Sequence, residues 1–339
     1  MFAIKGPQNL NMRLRQNAGR STGSLILCVC LLLTLTLTGC TRNEVPVSRT
    51  GFYFDTIVTV SLYGKNADET LDACMELAAQ YDGLFNKNIR ASDVYNINHA
   101  AGKPVTVNPD TAELLNIALE FAESSNGAFD PTIGSVSSLW DFKSETPHLP
   151  DPDALSDALK HVDYRNLSID GDSVTLKDPE ASVDLGAIAK GYVADKMKAL
   201  CISRGITSGY INLGGNVLTI GSKPSGEAFV IGIKDPVPGS ESAITAVSSA
   251  DSSVVRSGVY VRYFTVDGED YHHILDTKTG CPVKNNLLSV SIIGPSSVTC
   301  DALSTVLFIM GIDEGSEFIK NYEGYECIFI DKDKNLISK

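Results

Sequence analysis

Val183-Asp-Leu-Gly-Ala-Ile-Ala-Lys-Gly-Tyr-Val-Ala-Asp195 reads as a β-like run that ends in a small-residue turn and continues as a helix. Such a junction is a natural anion site, because the first amides of a helix lack intrahelical acceptors and lie at the positive end of the macrodipole. Gly186 leaves the backbone open to a ligand. Lys190 sits one turn into the helix, and Asp184 can accept hydrogen bonds from a base or a ribose. The same features also describe an ordinary turn with a capping carboxylate, so the choice rests on what else the chain carries. Around this stretch, helices and hairpin strands interleave without a repeating βαβ rhythm, which places the fold in the α+β class rather than among doubly wound sheets.

Two further segments carry chemistry. Thr299-Cys-Asp-Ala-Leu-Ser-Thr305 opens an apolar helix that runs through Met310 and stops at Gly311. Asp301 and Thr305 are four residues apart and share a face. A carboxylate, a hydroxyl and nearby carbonyls are the hard oxygen ligands that Mg2+ prefers; alternatively, Asp301 serves the helix dipole and Thr305 bonds back to a carbonyl. Tyr260 to Val266 and Glu269 to Leu275 flank Asp267-Gly268, a tight hairpin signal. His272 and His273 then point to opposite faces, ahead of the polar loop Asp276-Thr-Lys-Thr-Gly-Cys-Pro282.

In this order the three segments resemble the ApbE-type flavin transferase family, the FAD:protein FMN transferases. Gly127-Ala-Phe-Asp-Pro-Thr-Ile-Gly134, Asn212-Leu-Gly-Gly-Asn216 and Ser257-Gly258 extend the resemblance from about Phe52 to the C-terminal region. It implies two intimately joined α/β lobes with mainly antiparallel sheets and the active site in the cleft between them. The implied reaction cleaves the pyrophosphate of FAD, esterifies FMN to a threonine or serine of a target protein and releases AMP. The resemblance puts Mg2+ on Asp301, Thr305 and the Ala187 carbonyl. Lys190 supplements the metal, and His273, with Asp276 close by, takes the hydroxyl proton. The resemblance also sets Phe54, Asn88, Ala128, Phe129, Asp130, Asp184, Lys190, His273 and Ile274 against FAD. Two positions depart from the family: Phe54 stands where a methionine is usual, and Asn88 where many members carry an aromatic. A Mg-dependent FAD pyrophosphatase giving FMN and AMP, a non-catalytic lipid-anchored flavin-binding protein and a plain interaction lipoprotein remain as alternatives.

Residues 1–39 hold Lys5, Arg13, Arg15 and Arg20, no acid, and the apolar run Leu25 to Thr38. This reads as a secretory leader; the alternative is an uncleaved anchor helix, for which the apolar run is short against the ~20 residues of a span. Its end, Leu37-Thr-Gly-Cys40, resembles a bacterial lipobox, making Cys40 the lipidated first residue of a protein held on the outer face of the cell membrane, with residues 40–50 as a tether and 51–339 as the flavin transferase domain. Without the four leader cations, 24 Lys and Arg stand against 41 Asp and Glu, an acidic body that argues against nucleic acid. The expected partners are FAD, the membrane and an acceptor protein, a membrane redox-complex subunit or extracytoplasmic flavoprotein. Cys74, Cys201, Cys281, Cys300 and Cys327 show neither metal spacing nor a disulfide framework. The patterning predicts a strand over 51–63, a helix over 67–85, a loop over 88–101, a helix from Pro109 to Ser125, a surface insertion over 140–163, a hairpin over 167–176 and single strands over 210–220 and 243–255. Replacing Cys40 with Ser is expected to release the protein from membranes or leave an unprocessed precursor, read by fractionation and intact mass; a processed variant that still sediments with membranes would refute the lipid anchor.

Overall fold

A hairpin opens the fold, β1 (Val47–Tyr53) and β2 (Thr56–Leu62), turning at Phe54 and Asp55 with φ of 53° and 56°. The computed structural model describes residues 45–339 except 141, 143, 145, 238 and 241, so the leader and Cys40 lie outside the described residues. Where patterning predicts a tether to Thr50 and one strand after it, pairing already begins at Val47 opposite Leu62. Ser48 Oγ donates to Ser61 Oγ at 2.9 Å; polar cross-strand pairs hold this end, which apolar content alone does not reveal.

α1 (Ala67–Phe85) matches its periodicity. Residues 88–101 are not all loop: Ser92 Oγ accepts from Tyr95 N at 2.9 Å and caps α2 (Asp93–Asn98). After β3 (Val105–Thr106), Asn108 caps α3 (Pro109–Ser124). Short α4 (Gly134–Ser137) and α5 (Pro152–Leu159) follow, so the predicted insertion contains a helix. It also contains a buried anchor, because the Trp140 indole packs with Val136, Phe264 and Leu275 and donates to the Gly280 carbonyl at 2.8 Å. The hairpin β4 (Leu167–Asp170) and β5 (Ser173–Leu176) leads to α6 (Ala189–Ser203).

The two predicted long strands are each broken in two. Gly214-Gly215 separates β6 (Gly209–Leu213) from β7 (Asn216–Ile220). Beyond β8 (Phe229–Lys234), the run that reads as one strand divides into β9 (Ala243–Ser249) and β10 (Ser253–Gly258), which belong to different sheets. The hairpin β11 (Tyr263–Val266) and β12 (Glu269–His272) turns at Asp267-Gly268, both at positive φ, as expected. Then come β13 (Leu287–Gly294), α7 (Ser297–Phe318), β14 (Glu326–Asp331) and β15 (Leu336–Ser338). Gly311 breaks α7 with φ 80° and ψ −174°, a conformation that glycine tolerates best.

The main sheet runs β1-β2-β6-β7-β10-β13-β14-β15, with antiparallel neighbours throughout, and three small antiparallel sheets accompany it. The α+β class with mainly antiparallel sheets therefore holds. α6 and α7 pack against each other, and α7 lies on β10 and β13, burying Met197, Leu303, Phe308 and Phe329. The two helices cross where Gly191 faces the start of α7: an added Cβ would run into the Ser297 carbonyl and lie 2.7 Å from Val298 Cα. Backbone cannot yield as a side-chain tip can. Gly191→Ala is expected to destabilise the protein by roughly 1–3 kcal/mol, read as a lower urea midpoint at unchanged m-value.

Candidate active site

The segment entering α6 is held from both sides. Asn98 clamps Val183, donating to its carbonyl at 2.9 Å and accepting from its amide at 2.7 Å, while Asp184 N donates to the Pro131 carbonyl at 2.8 Å. Most amides that the sequence offered to an anion are already bonded. Gly186 N donates to Asp184 Oδ1 at 2.9 Å, Ile188 N and Ala189 N to the Leu185 carbonyl, and Gly191 N to Asp301 Oδ2 at 2.9 Å. The cations of the junction therefore matter more than its amides. Asp184 Oδ2 accepts from Lys87 Nζ and Ser137 Oγ, both at 2.8 Å. Burial pushes the Asp184 carboxyl up, but the charge and hydrogen bond of Lys87, with Gly186 N and Ser137, outweigh it and hold it at about 2.

Asp301 is 4 % exposed. Its Oδ1 accepts from Asn216 Nδ2 at 2.9 Å, and the Lys190 ammonium lies 3.4 Å from both carboxylate oxygens and 3.2 Å from the Gly186 carbonyl. Thr305 Oγ1 is 3.4 Å from Ser257 Oγ, and Ser257 shares a 2.7 Å bond with Ser304. The carboxylate already holds one cation, Lys190, as a stand-in, and Ala187 and Thr305 line the same space. This hard-oxygen set fits Mg2+.

These residues line a cleft of about 660 Å³ whose walls come from both the main core and the smaller cluster around Trp140. Phe54, Asn88, Ala128, Phe129, Asp130, Asp184, Ala187, Lys190, His273, Ile274, Asp301 and Thr305 all face it. Asp276 does not line it: its Oδ1 accepts from Lys278 N at 2.8 Å and closes the loop, while Thr277 lines the cleft and donates to the Gly127 carbonyl at 2.6 Å. The expected Asp276 support for His273 is instead the Arg262 carbonyl, 3.1 Å from Nδ1. Asp130 is occupied as well, accepting from Thr132 N and Oγ1 and from Tyr164 N. It shapes the Gly127–Gly134 loop more than it offers a free carboxylate.

His272 and His273 part as the strand alternation requires. The His272 ring lies edge-on to Phe308, in the core, with Nε2 3.1 Å from the Val283 carbonyl. His273 faces the cleft, where burial pushes its pKa down to about 4 despite the bond to the Arg262 carbonyl; the charges of Arg262 and Lys190 act in the same direction as burial. Sequence reading missed Lys87, Asn216, Trp140, Phe142, Arg256 and Arg262, which also line the cleft. Trp140, the only tryptophan in the chain and two residues from Phe142, was an available signal, and Asn216 closes the Asn212–Asn216 motif; Lys87 had none, because its partner Asp184 is distant in sequence. The Trp140 and Phe142 rings stack 5.7 Å apart, and Phe142 meets the His273 ring edge-on at 6.5 Å.

The His273 shift carries a sign. Its folded pKa lies below the ordinary value of about 6.5, so between those values the unfolded chain binds more protons. The stability contributed by the neutral ring is complete above about pH 6.5 and lost as pH falls toward 4. That of Asp184 is complete above the unfolded carboxylate range and lost only as pH falls through about 2. His273→Gln is expected to flatten the dependence of melting temperature on pH between 6.5 and 4, measured beside wild type.

Comparison with known proteins gives a consistent result. The model of the ApbE family matches residues 54–329. An FAD:protein FMN transferase of Treponema pallidum is 35% identical over 309 residues, 85% of each chain, and one of Klebsiella pneumoniae is 35% identical over 274 residues, 80% of this chain and 85% of the other. The crystal structure of the ApbE protein of Thermotoga maritima superposes with a TM-score of 0.80 at 31% identity, covering 86% of this chain and 96% of that one. The flavin transferase ApbE of Vibrio cholerae has the same fold, with a TM-score of 0.78 at 24% identity.

Proposed function

The chain belongs to the ApbE family, and from that premise we propose that it is an FAD:protein FMN transferase that moves FMN from FAD to a threonine or serine hydroxyl of a target protein and releases AMP. One observation carries the reading: residues from five separate segments, Ala187, Lys190, His273, Asp301 and Thr305 with Phe54 and Phe129, converge on a single cleft. In the reaction the acceptor oxygen bonds to the FMN phosphorus, the bond from that phosphorus to the bridging oxygen breaks, and AMP leaves with that oxygen. Asp301, Thr305 and the Ala187 carbonyl would hold Mg2+, which when bound neutralises charge developing on the pyrophosphate oxygens.

The chain's own groups supply the remainder. With Nδ1–H donated to the Arg262 carbonyl, His273 keeps the Nε2 lone pair free to take the hydroxyl proton. The lowered pKa keeps that ring neutral at pH 7, and a polyanionic substrate nearby would raise its basicity. Lys190 brings a second positive charge to the pyrophosphate, while Phe54, Phe129, Trp140 and Phe142 offer apolar and aromatic surface to the isoalloxazine ring. Asn88 favours one competing reading: without an aromatic there, FMN is held less firmly and water replaces the acceptor, giving FAD pyrophosphatase activity. Trp140 and Phe142 provide stacking surface in the same cleft, which ranks transfer first.

The leader and the Leu-Thr-Gly-Cys40 sequence support a lipid-anchored enzyme outside the cytoplasm, acting on a membrane redox subunit or extracytoplasmic flavoprotein. Among the described residues no helix is long and apolar enough to cross a membrane.

Incubation with FAD, Mg2+ and an acceptor protein tests the reading: covalent flavin on the acceptor supports it, free FMN with AMP supports hydrolysis, and unchanged FAD refutes both. Asp301 is too buried and too well bonded to be replaced by alanine without cost. Asp301→Asn keeps an oxygen for Gly191 N. It is expected to lower turnover roughly 10²–10³-fold, the usual loss for one preorganised electrostatic partner, and to abolish Mg2+ dependence while the melting temperature moves little; full activity with Mg2+ dependence intact would remove Asp301 from the metal set.

A further inference from the structure

Two cysteines that look unrelated in the sequence meet in the core. Cys74 lies on the buried face of α1 with Thr70, Leu71 and Ala78, and Cys201 lies in the last turn of α6 with Met197 one turn before it. Both are fully buried, and their sulfurs are 3.6 Å apart across 127 residues of chain. A disulfide needs an S–S distance of about 2.05 Å, so the bond requires the sulfurs to approach by about 1.5 Å, on the scale of a side-chain rotation. The contact sits between elements that shape the cleft. α1 ends at Phe85 and runs into Asn86 and Lys87, and α6 begins beside Lys190, all of which line the cleft. Between the sulfurs and the cleft the helices stay in register through the Tyr81–Tyr192 and Phe85–Tyr192 ring contacts at 5.9 and 5.8 Å.

We propose that Cys74 and Cys201 are a cross-linking site, joined by a disulfide oxidant into one bond that staples α1 to α6 behind the catalytic cleft. The oxidant is a small-molecule or protein disulfide. Opening of the terminal turn of α6 that carries Cys201 admits the oxidant, and the Cys74 thiolate attacks it, forms a mixed disulfide and expels one thiol. Cys201, held up in the reduced protein by its bond to Cys74 and by burial, loses that bond once Cys74 is in the mixed disulfide; its thiolate then attacks the Cys74 sulfur and expels the second thiol. Two protein thiols lose two electrons and two protons, and the oxidant's disulfide is reduced to two thiols. Cys74 is suited to the first attack: the Cys201 S–H it accepts favours its thiolate against burial, with the nearby Arg204 guanidinium adding to it.

The test needs neither FAD nor the acceptor, so its outcome is independent of the transferase reading. The full chain is reduced, exchanged into buffer with oxidised glutathione, and alkylated in denaturant, and the peptides are mapped by mass, which separates Cys28, Cys30 and Cys40 from the pair. A Cys74–Cys201 cross-linked peptide is expected, with Cys281, Cys300 and Cys327 alkylated. Closing so long a loop should make the oxidised protein melt roughly 5–8 °C above the reduced one. In Cys201→Ala that reductant-dependent difference should vanish. Alkylation of both Cys74 and Cys201 after oxidation, a cross-link joining another pair, or a shift that persists in Cys201→Ala would each overturn the proposal.

Discussion

The crossing of α6 and α7 is the constraint on which the site depends. At Gly191 the α6 backbone comes close enough to the start of α7 that no side chain fits between them, and Gly191 N donates to Asp301 Oδ2 across the gap. One turn further along α6, Asp195 accepts from Ser297 N and Val298 N at 2.9 Å, so a side chain of one helix caps the N-terminus of the other. Two helices more than a hundred residues apart are thereby locked in rotation and in translation along their axes. Lys190 and Asp301, the charged side chains that the two helices present to the cleft, are brought within ion-pair reach as a result.

Electrostatics in the cleft follow from that lock. The body is strongly acidic, yet the cleft collects Lys87, Lys190, Arg256 and Arg262. Asp184 and Asp301 are each tied to a lysine, Lys87 and Lys190. Where Asp184 and Asp301 face the cleft, an anionic substrate therefore meets carboxylates already paired with lysines instead of bare negative charge. Burial acts on the one histidine of the cleft in the same sense, keeping it neutral and able to accept a proton.

Legibility in the sequence divided along physical lines. Helices with a long apolar stripe, such as α1, and helix starts with a side-chain cap, such as Asn108 before α3, depend on residues close in the chain and were readable there. The Asp267-Gly268 turn and the stop at Gly311 were local for the same reason, since each rests on one backbone conformation. The first strand, the division of 210–220 and 243–255 into pairs, and the helix within 140–163 were not legible, because strand pairing and the burial of Trp140 depend on partners far along the chain.

Residue chemistry was likewise a property of the sequence: Asp301 and Thr305 on one helical face, His272 and His273 on opposite faces of a strand, Lys190 one turn into α6. Their ordered occurrence was enough to point to the family. Only the tertiary structure decided which of these groups are free to act. It turned His273 to the cleft and His272 to the core, and it spent most of the α6 amides and Asp276 on internal hydrogen bonds. It also supplied Asp184 with Lys87 and set Cys74 against Cys201. A sequence lists donors and acceptors, but which of them remain available depends on long-range packing, and each partner that packing supplies is one that the neighbouring residues could not reveal.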